Sequence, residues 1–192
     1  TQVTLLASVK SPSCFSLSFR AVVNVINTKG DRAKIATATG HAFLPRRHIQ
    51  FLSDVKKNPS AENGLVDIDW VGFAERLIDA PYKWGGRTAW GLDCSALVQL
   101  SLAATGLDVP RDSGPQHEVG AHLDIESRLS KPILRRGDLV FWQGHVGIMQ
   151  DHHRLLHANA YHMAVVSEPL EDAVTRISPI AGPITALRRP LF

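Results

Sequence analysis

Sulfur is scarce in this chain. Cys14 and Cys94 are the only cysteines among 192 residues. One disulfide is arithmetically possible, but a pair so far apart in sequence is weak evidence for a bridge. Low cysteine use fits a reducing compartment. No apolar run approaches the roughly 18 to 20 residues needed to span a bilayer, and no secretory signal is visible. A membrane role is therefore not expected, and a cytoplasmic location is. The chain opens on Thr1, which reads as a processed or truncated N-terminus and leaves export open. There is no long basic tract either. The formal net charge is +3, and the basic pairs Arg46-Arg47, Arg135-Arg136 and Arg188-Arg189 are scattered. That pattern reads as solvated surface, not as a nucleic-acid footprint. Cys-x-x-Cys and His-Glu-x-x-His are both missing, so no metal or other cofactor is expected. A zinc site recruited from His152, His153, His157, His162 and Cys94 is the alternative. Internal repeats and low-complexity segments are also lacking.

What is present is ordinary globular composition, 44% hydrophobic and 20% charged, enough to bury a core without a disulfide or structural metal. Residues 1 to about 56 lack helical periodicity. They break into short strand-like runs, Val3–Ala7, Phe15–Phe19, Ala21–Ile26, Ala33–Ala38 and Ala42–Pro45, with turns at Lys10–Ser13 and Thr28–Asp31. Such spacing predicts a small barrel or sandwich. The polar stretch Lys56–Gly64 reads as a linker. Beyond it, Asp69 can cap a helix from Trp70 to Asp79, stopped by Pro81. Cys94 to Thr105 is apolar nearly all round, as in a buried helix, with Asp93 as N-cap and Gly106 just past the end. Strands are predicted again at Asp138–Trp142, Val146–Gln150, Leu155–Asn159, Ala164–Ser167 and Ile184–Arg188. Helices followed by antiparallel strands make an α+β domain. The predicted domains are residues 1–58 and 66–192.

The chemistry concentrates in three segments. Pro81-Tyr82-Lys83-Trp84-Gly85-Gly86 and Gly91-Leu92-Asp93-Cys94-Ser95 put a thiol where a glycine-rich turn enters a helix. A helix N-terminus favours negative charge, so the thiol pKa should fall there. Gly144-His145-Val146-Gly147 places an imidazole at a strand, with Gly147 on its face keeping the space over it open. A base within reach of the thiol would hold a thiolate–imidazolium pair. His157 follows twelve positions later, on a strand that a turn at Asp151–Arg154 can fold beside the first. It can orient the His145 ring, a role for which Asn159 competes. The carboxylate of Asp93 opposes thiolate formation. Either it is simply an N-cap, or it has a positive partner such as a substrate amine.

These segments, together with Arg136-Gly137-Asp138-Leu139-Val140-Phe141 and His157-Ala158-Asn159, resemble the signature of the NlpC-type cell-wall peptidases over about residues 66 to 192. The resemblance implies a papain-like cysteine peptidase domain. It makes Cys94 the nucleophile, His145 the general base and His157 the orienting residue, with Tyr82 bonding across the site. Pro110-Arg111-Asp112-Ser113-x-x-Gln116 and the run through Glu168-Pro169-Leu170 resemble the branch that carries SH3-like barrels ahead of the peptidase. That branch cuts between γ-D-glutamate and a diamino acid in peptidoglycan stem peptides, L-Ala-γ-D-Glu-diamino acid. It prefers a free N-terminal L-alanine, with residues matching Asp93, Ser95 and Ser113 holding the dipeptide. Residues 1 to 56 look like the second SH3-like module of that branch, which implies that a first lies upstream. The rival readings are a non-catalytic cell-wall-binding protein and a papain-like amidase or acyltransferase.

Overall fold

The computed structural model describes residues 1–55, 69–124 and 134–190. The chain divides into two compact units, Thr1–Asn63 and Gly64–Phe192. The linker expected at Lys56–Gly64, and the domain limits at 58 and 66, lie outside the described residues.

The first unit is an antiparallel sheet of five short strands, β1 (Gln2–Thr4), β2 (Ser13–Ser16), β3 (Val25–Lys29), β4 (Arg32–Thr37) and β5 (Gly40–Pro45), in the order β2-β1-β5-β4-β3. Its core is small: Val3, Ala33, Ile35, Ala42 and Leu44. Period-two alternation sends Ala33 and Ile35 inward from one strand and Ala42 and Leu44 from the next. The expected turn at Thr28–Asp31 is tighter than the sequence suggests. Lys29 pairs with Arg32, so Gly30 and Asp31 alone make the turn, with Gly30 at φ +57°.

The second unit is built on a six-stranded antiparallel sheet. Its strands are β8 (Ala121–Leu123), β9 (Leu139–Trp142), β10 (His145–Met149), β11 (Arg154–Asn159), β12 (Ala164–Pro169) and β13 (Ala186–Arg189), in the order β12-β11-β10-β9-β13-β8. A two-stranded hairpin, β6 (Arg87–Thr88) and β7 (Gly91–Leu92), stands beside it. After the short α1 (Leu52–Val55) of the first unit, this unit contributes α2 (Trp70–Glu75), α3 (Cys94–Ala103), α4 (Ser113–Gln116) and α5 (Leu170–Ala181).

Alternation along the strands creates two cores. Leu139, Phe141, Val146, Ile148, Leu156 and Ala158 pack with Ala96, Leu97, Val98 and Leu102 of α3. Val140, Trp142, Met149, Leu155 and Leu187 pack with Ala173 and Ile177 of α5. Each large side chain so buried contributes about 1.5–3 kcal/mol. Nine of the ten α3 residues are buried, which is why its sequence shows no polar face.

Two local differences from the sequence reading have clear causes. Helix α2 ends at Glu75 rather than Asp79, because Leu77 and Ile78 donate to Ala74 and Glu75 in tight i→i+3 turns and Asp79 sits at φ +68°. No helix is expected at Leu170–Ala181, yet α5 forms there. Leu170, Ala173, Val174 and Ile177 supply its inward stripe. Among the described residues, no helix is long and apolar enough to cross a membrane.

Candidate active site

Asp93 starts the site. Its Oδ1 accepts from the Ala96 N–H at 2.9 Å and caps α3, a device worth about 1 kcal/mol. The preceding turn is shaped by glycine. Gly85 adopts φ +73° and donates its N–H to Asp93 Oδ2 at 2.9 Å. A Cβ on Gly86 would lie 2.4 Å from the Gly91 carbonyl oxygen, so only glycine lets the two backbones meet.

Cys94 therefore stands on the first turn of α3. It is 8% exposed, and it opens on a cleft of about 380 Å³ lined also by Tyr82, Trp84, Asp93, Ser95, Arg111, Ser113 and His145. A volume of this order suits a small ligand. All of the sequence-predicted residues except His157 line this one cleft.

His145 opens β10, directly after the turn Gln143-Gly144, in which Gly144 takes φ +73°. Its Nε2 lies 2.8 Å from Nδ1 of His157 on the adjacent strand. His157 is fully buried, and its own Nε2 meets Glu168 Oε1 at 2.6 Å. Asn159 does not contact His145 in this chain of bonds. Its Nδ2 lies 3.1 Å from His157 Nε2, and its Oδ1 accepts from the His162 N–H at 2.8 Å.

The site departs from the sequence reading in three respects, two electrostatic and one steric. First, burial pushes the Cys94 thiol above its ordinary value, and the Asp93 carboxylate adds to the rise. The N–H groups of Val146, Ser95 and Cys94 oppose it and are outweighed. Burial, with His157 and Arg176 nearby, brings His145 down to about 3, against a smaller upward pull from Glu168. Both shifts favour the neutral thiol and the neutral imidazole over an ion pair. Closing the helix start beneath protein removes the water that a thiolate needs.

Second, the positive partner of Asp93 is internal. Arg111 donates from Nη1 to Oδ1 at 2.9 Å and from Nη2 to Oδ2 at 2.6 Å, and Nη1 also reaches Ser95 Oγ at 2.9 Å. Burial is the largest influence on Asp93 and raises it. The Arg111 bonds and charge, with the Ala96 and Gly85 N–H groups, outweigh that and hold the carboxyl below its usual range. The charge argument for a substrate amine at Asp93 thus loses its premise. Arg111 is a site residue that the spacing of the segments does not reveal, since it lies 18 positions from Asp93.

Third, Gly147 does not keep space open over His145. A Cβ there would lie 2.7 Å from Leu155 Cδ1. Glycine is required because Leu155 fills the site.

Tyr82 lines the cleft, and its phenol is raised by burial and by the anionic forms of Cys94 and Asp93. Ser95 is buried, donating its Oγ–H to Asp93 Oδ1 at 3.2 Å. Ser113 lines the cleft at the start of α4. The Arg136-Gly137-Asp138 segment is a structural staple. Arg136 bonds Asp69 and Glu75, and Asp138 accepts two hydrogen bonds from Arg189, each of 2.7 Å. Among the described residues, no group of three or more His, Cys, Asp or Glu side chains gathers as a metal site requires.

A thiol at the start of a buried helix, sharing a cleft with an imidazole from an antiparallel sheet, defines the papain-like class of mixed α/β folds. The chain belongs to the NlpC/P60 family, whose model matches residues 79–177, just over half of its length. It is 29% identical over 115 residues to a gamma-D-glutamyl-L-lysine dipeptidyl-peptidase of Bacillus cereus, covering 60% of this chain and 32% of that one. It is 30% identical over 166 residues to the peptidoglycan endopeptidase RipB of Mycobacterium tuberculosis, covering 79% of this chain and 65% of that one. The chain thus spans about a third of the length of the Bacillus cereus relative. Its fold is similar to that of an NlpC/P60 family protein of Bacillus cereus, with a TM-score of 0.65 at 23% identity over 99% of this chain and 60% of the other.

Proposed function

We propose that this chain is a cysteine peptidase that hydrolyses the bond between γ-D-glutamate and a diamino acid in peptidoglycan stem peptides. One observation carries the reading. Cys94 opens from a helix start into the cleft that His145 lines, and His145 is itself bonded to buried His157. The names of the Bacillus relatives favour the γ-D-glutamyl bond.

In this mechanism the Cys94 proton passes to His145 as Sγ attacks the γ-carbonyl of the glutamate. With both partners shifted towards their neutral forms, proton transfer accompanies attack. The Val146 N–H, which bonds the sulfur, supports it as charge develops. The oxyanion meets the Cys94 N–H at the helix start, with the Tyr82 hydroxyl beside it. His145 then gives its proton to the leaving amine of the diamino acid. Water, deprotonated by the same ring, hydrolyses the thioester and regenerates the thiol.

The Asp93–Arg111 pair is internally satisfied, so contact with the dipeptide falls chiefly to Tyr82, Trp84 and Ser113. The exposed carboxylate of Asp112 lines the same cleft, which leaves an anionic group for a free L-alanine amine. The first unit is proposed as an SH3-like barrel, on the strength of its five short antiparallel strands around one small core. Both cysteines are free thiols, which suits a reducing compartment and a cytoplasmic role on released peptides.

The test is incubation with L-Ala-γ-D-Glu-diaminopimelate and its L-lysine counterpart, each with a free and an acetylated N-terminus, followed by mass spectrometry. Release of L-Ala-D-Glu and the free diamino acid, lost in Cys94→Ala, is expected. Cleavage at another bond, or none in the wild type, overturns the proposal. Equal rates on acetylated and free peptides remove the amine preference alone.

A further inference from the structure

The hydrogen bonds beyond His157 carry a consequence for which nitrogen does the chemistry. Strand pairing sets Leu155 opposite Glu168 and His157 opposite Val166. Glu168 is therefore a diagonal neighbour of His157 on the same face of the sheet. Helix α5 covers that face, through Ala173 and Ile177 against Leu155. From α5, Arg176 donates to the same Glu168 Oε1 that His157 Nε2 contacts. The Arg176 guanidinium lies over the Tyr161 ring, 4.6 Å from its centroid. The carboxylate is thus clamped between a buried imidazole and a cation that is itself stacked.

This clamp decides the protonation of both rings. Burial is the largest influence on Glu168 and raises it, but bonding and charge from His157, with Arg176 and His162, outweigh it and keep the carboxyl below its usual range. An ionised carboxylate only accepts. Glu168 Oε1, at 2.6 Å, is a closer neighbour of His157 Nε2 than the Asn159 Nδ2 donor at 3.1 Å, so that nitrogen carries a hydrogen and gives it to Glu168. His157 is pushed down by burial, against Glu168, and is neutral near pH 7. Its Nδ1 is then bare and accepts from Nε2–H of His145 at 2.8 Å. A neutral His145 that spends its one hydrogen on His157 has Nδ1 as its only open nitrogen.

We propose that Glu168 is a positioning residue for this site: held by Arg176, it fixes the tautomer and ring plane of His157, and through it reserves Nδ1 of His145 as the base. The inference rests on the peptidase reading given above. When Nδ1 takes the thiol proton, His145 becomes a cation whose Nε2–H still donates to His157. The negative charge of Glu168 then lies two bonds along the same chain. Arg176 offsets part of that charge and keeps both rings less basic. The charged and titratable groups facing the two rings are Glu168, Arg176 and His162, with Cys94 and the Asp93–Arg111 pair across the cleft.

The experiment compares wild type, Glu168→Ala, Glu168→Gln and Arg176→Met in kcat, KM and pH profile on the stem peptide. It also records the imidazole 15N shifts of each free protein near pH 7, assigned with His145→Gln and His157→Asn. In wild type both rings are expected as single tautomers, His145 with a bare Nδ1. Glu168→Ala should mix the tautomers of both rings and lower kcat by about tenfold or more, with KM little changed. Glu168→Gln keeps an acceptor oxygen and should recover most of kcat. Arg176→Met removes a cation, so the acid limb of kcat/KM should move to higher pH. Unchanged tautomers and kcat in Glu168→Ala overturn the proposal, as does a wild-type His145 protonated on Nδ1. If Glu168→Ala does not fold, the glutamine variant and the wild-type shifts decide. A wild type that cleaves no stem peptide sinks the peptidase reading, while the 15N shifts still judge the Glu168 arrangement.

Discussion

Arg111 meets Asp93 through two parallel hydrogen bonds of 2.9 and 2.6 Å, directly beside the residue that carries the thiol. Each of these two charges is thereby partly offset by the other within the cleft. The Asp93 side chain is 9% exposed and that of Arg111 29%, so the carboxylate depends on its partner more than the reverse.

Arg111→Met should therefore leave a mostly buried carboxylate unpaired next to Cys94. Stability should fall by about 2 kcal/mol, read as a shift in urea midpoint. Iodoacetamide should also modify Cys94 more slowly at a given pH, because an unscreened anion raises the thiol further. Removing the pair together, as Asp93→Asn with Arg111→Met, should restore much of the lost stability.

Alkylation of Cys94 should rise with pH towards a midpoint above that of an ordinary thiol. Burial and Asp93 both push in that direction. Exposed Cys14 is first changed to Ser, so that one thiol is followed. An inflection near pH 4 instead would reveal a stable thiolate–imidazolium pair and contradict the neutral resting state.

Acid should weaken the fold through its buried histidines. His145 drops from 6.5 to about 3 on folding, and His157 is lowered too, in both cases chiefly by burial. Between these values the unfolded chain binds protons that the folded chain refuses. Stability is thus full above about pH 6.5 and declines as pH falls towards 3. Urea unfolding at stepped pH should show this slope, and His145→Gln should flatten it. An equally steep slope in the variant would count against His145 as its source.

Gly147→Ala should cost about 1–3 kcal/mol by overpacking against Leu155, measured by thermal unfolding. Leu155→Ala in the same chain should recover part of that loss, since it vacates the space. A glycine kept only for an open approach to His145 would show no such rescue.

Much of this arrangement is legible in the residues themselves. Asp93 before an all-apolar run marks a buried helix start, so Cys94 is placed by local chemistry alone. His145 and His157, on strands joined by a short turn, follow from period-two geometry. The parts that escape are those made by distant contacts. Arg111 lies on a loop 18 residues from its partner, and no local pattern points it at Asp93. Glu168 acquires meaning only once α5 delivers Arg176, and Pro179 within that helix disguises it as a loop. The thiol's upward shift is likewise invisible in sequence. The helix start is local, whereas the burial that outweighs it is a product of the whole packed unit.

The proposed nucleophile, Cys94, rides on a helix from one layer of the fold, and its proposed base, His145, on a strand from another, some 50 positions further along. Neither has the other's company until sheet and helices have closed together. A half-folded copy of this chain would carry a dormant sulfur and a stray imidazole, so under the proposed peptidase function cutting power arrives only with the final packing.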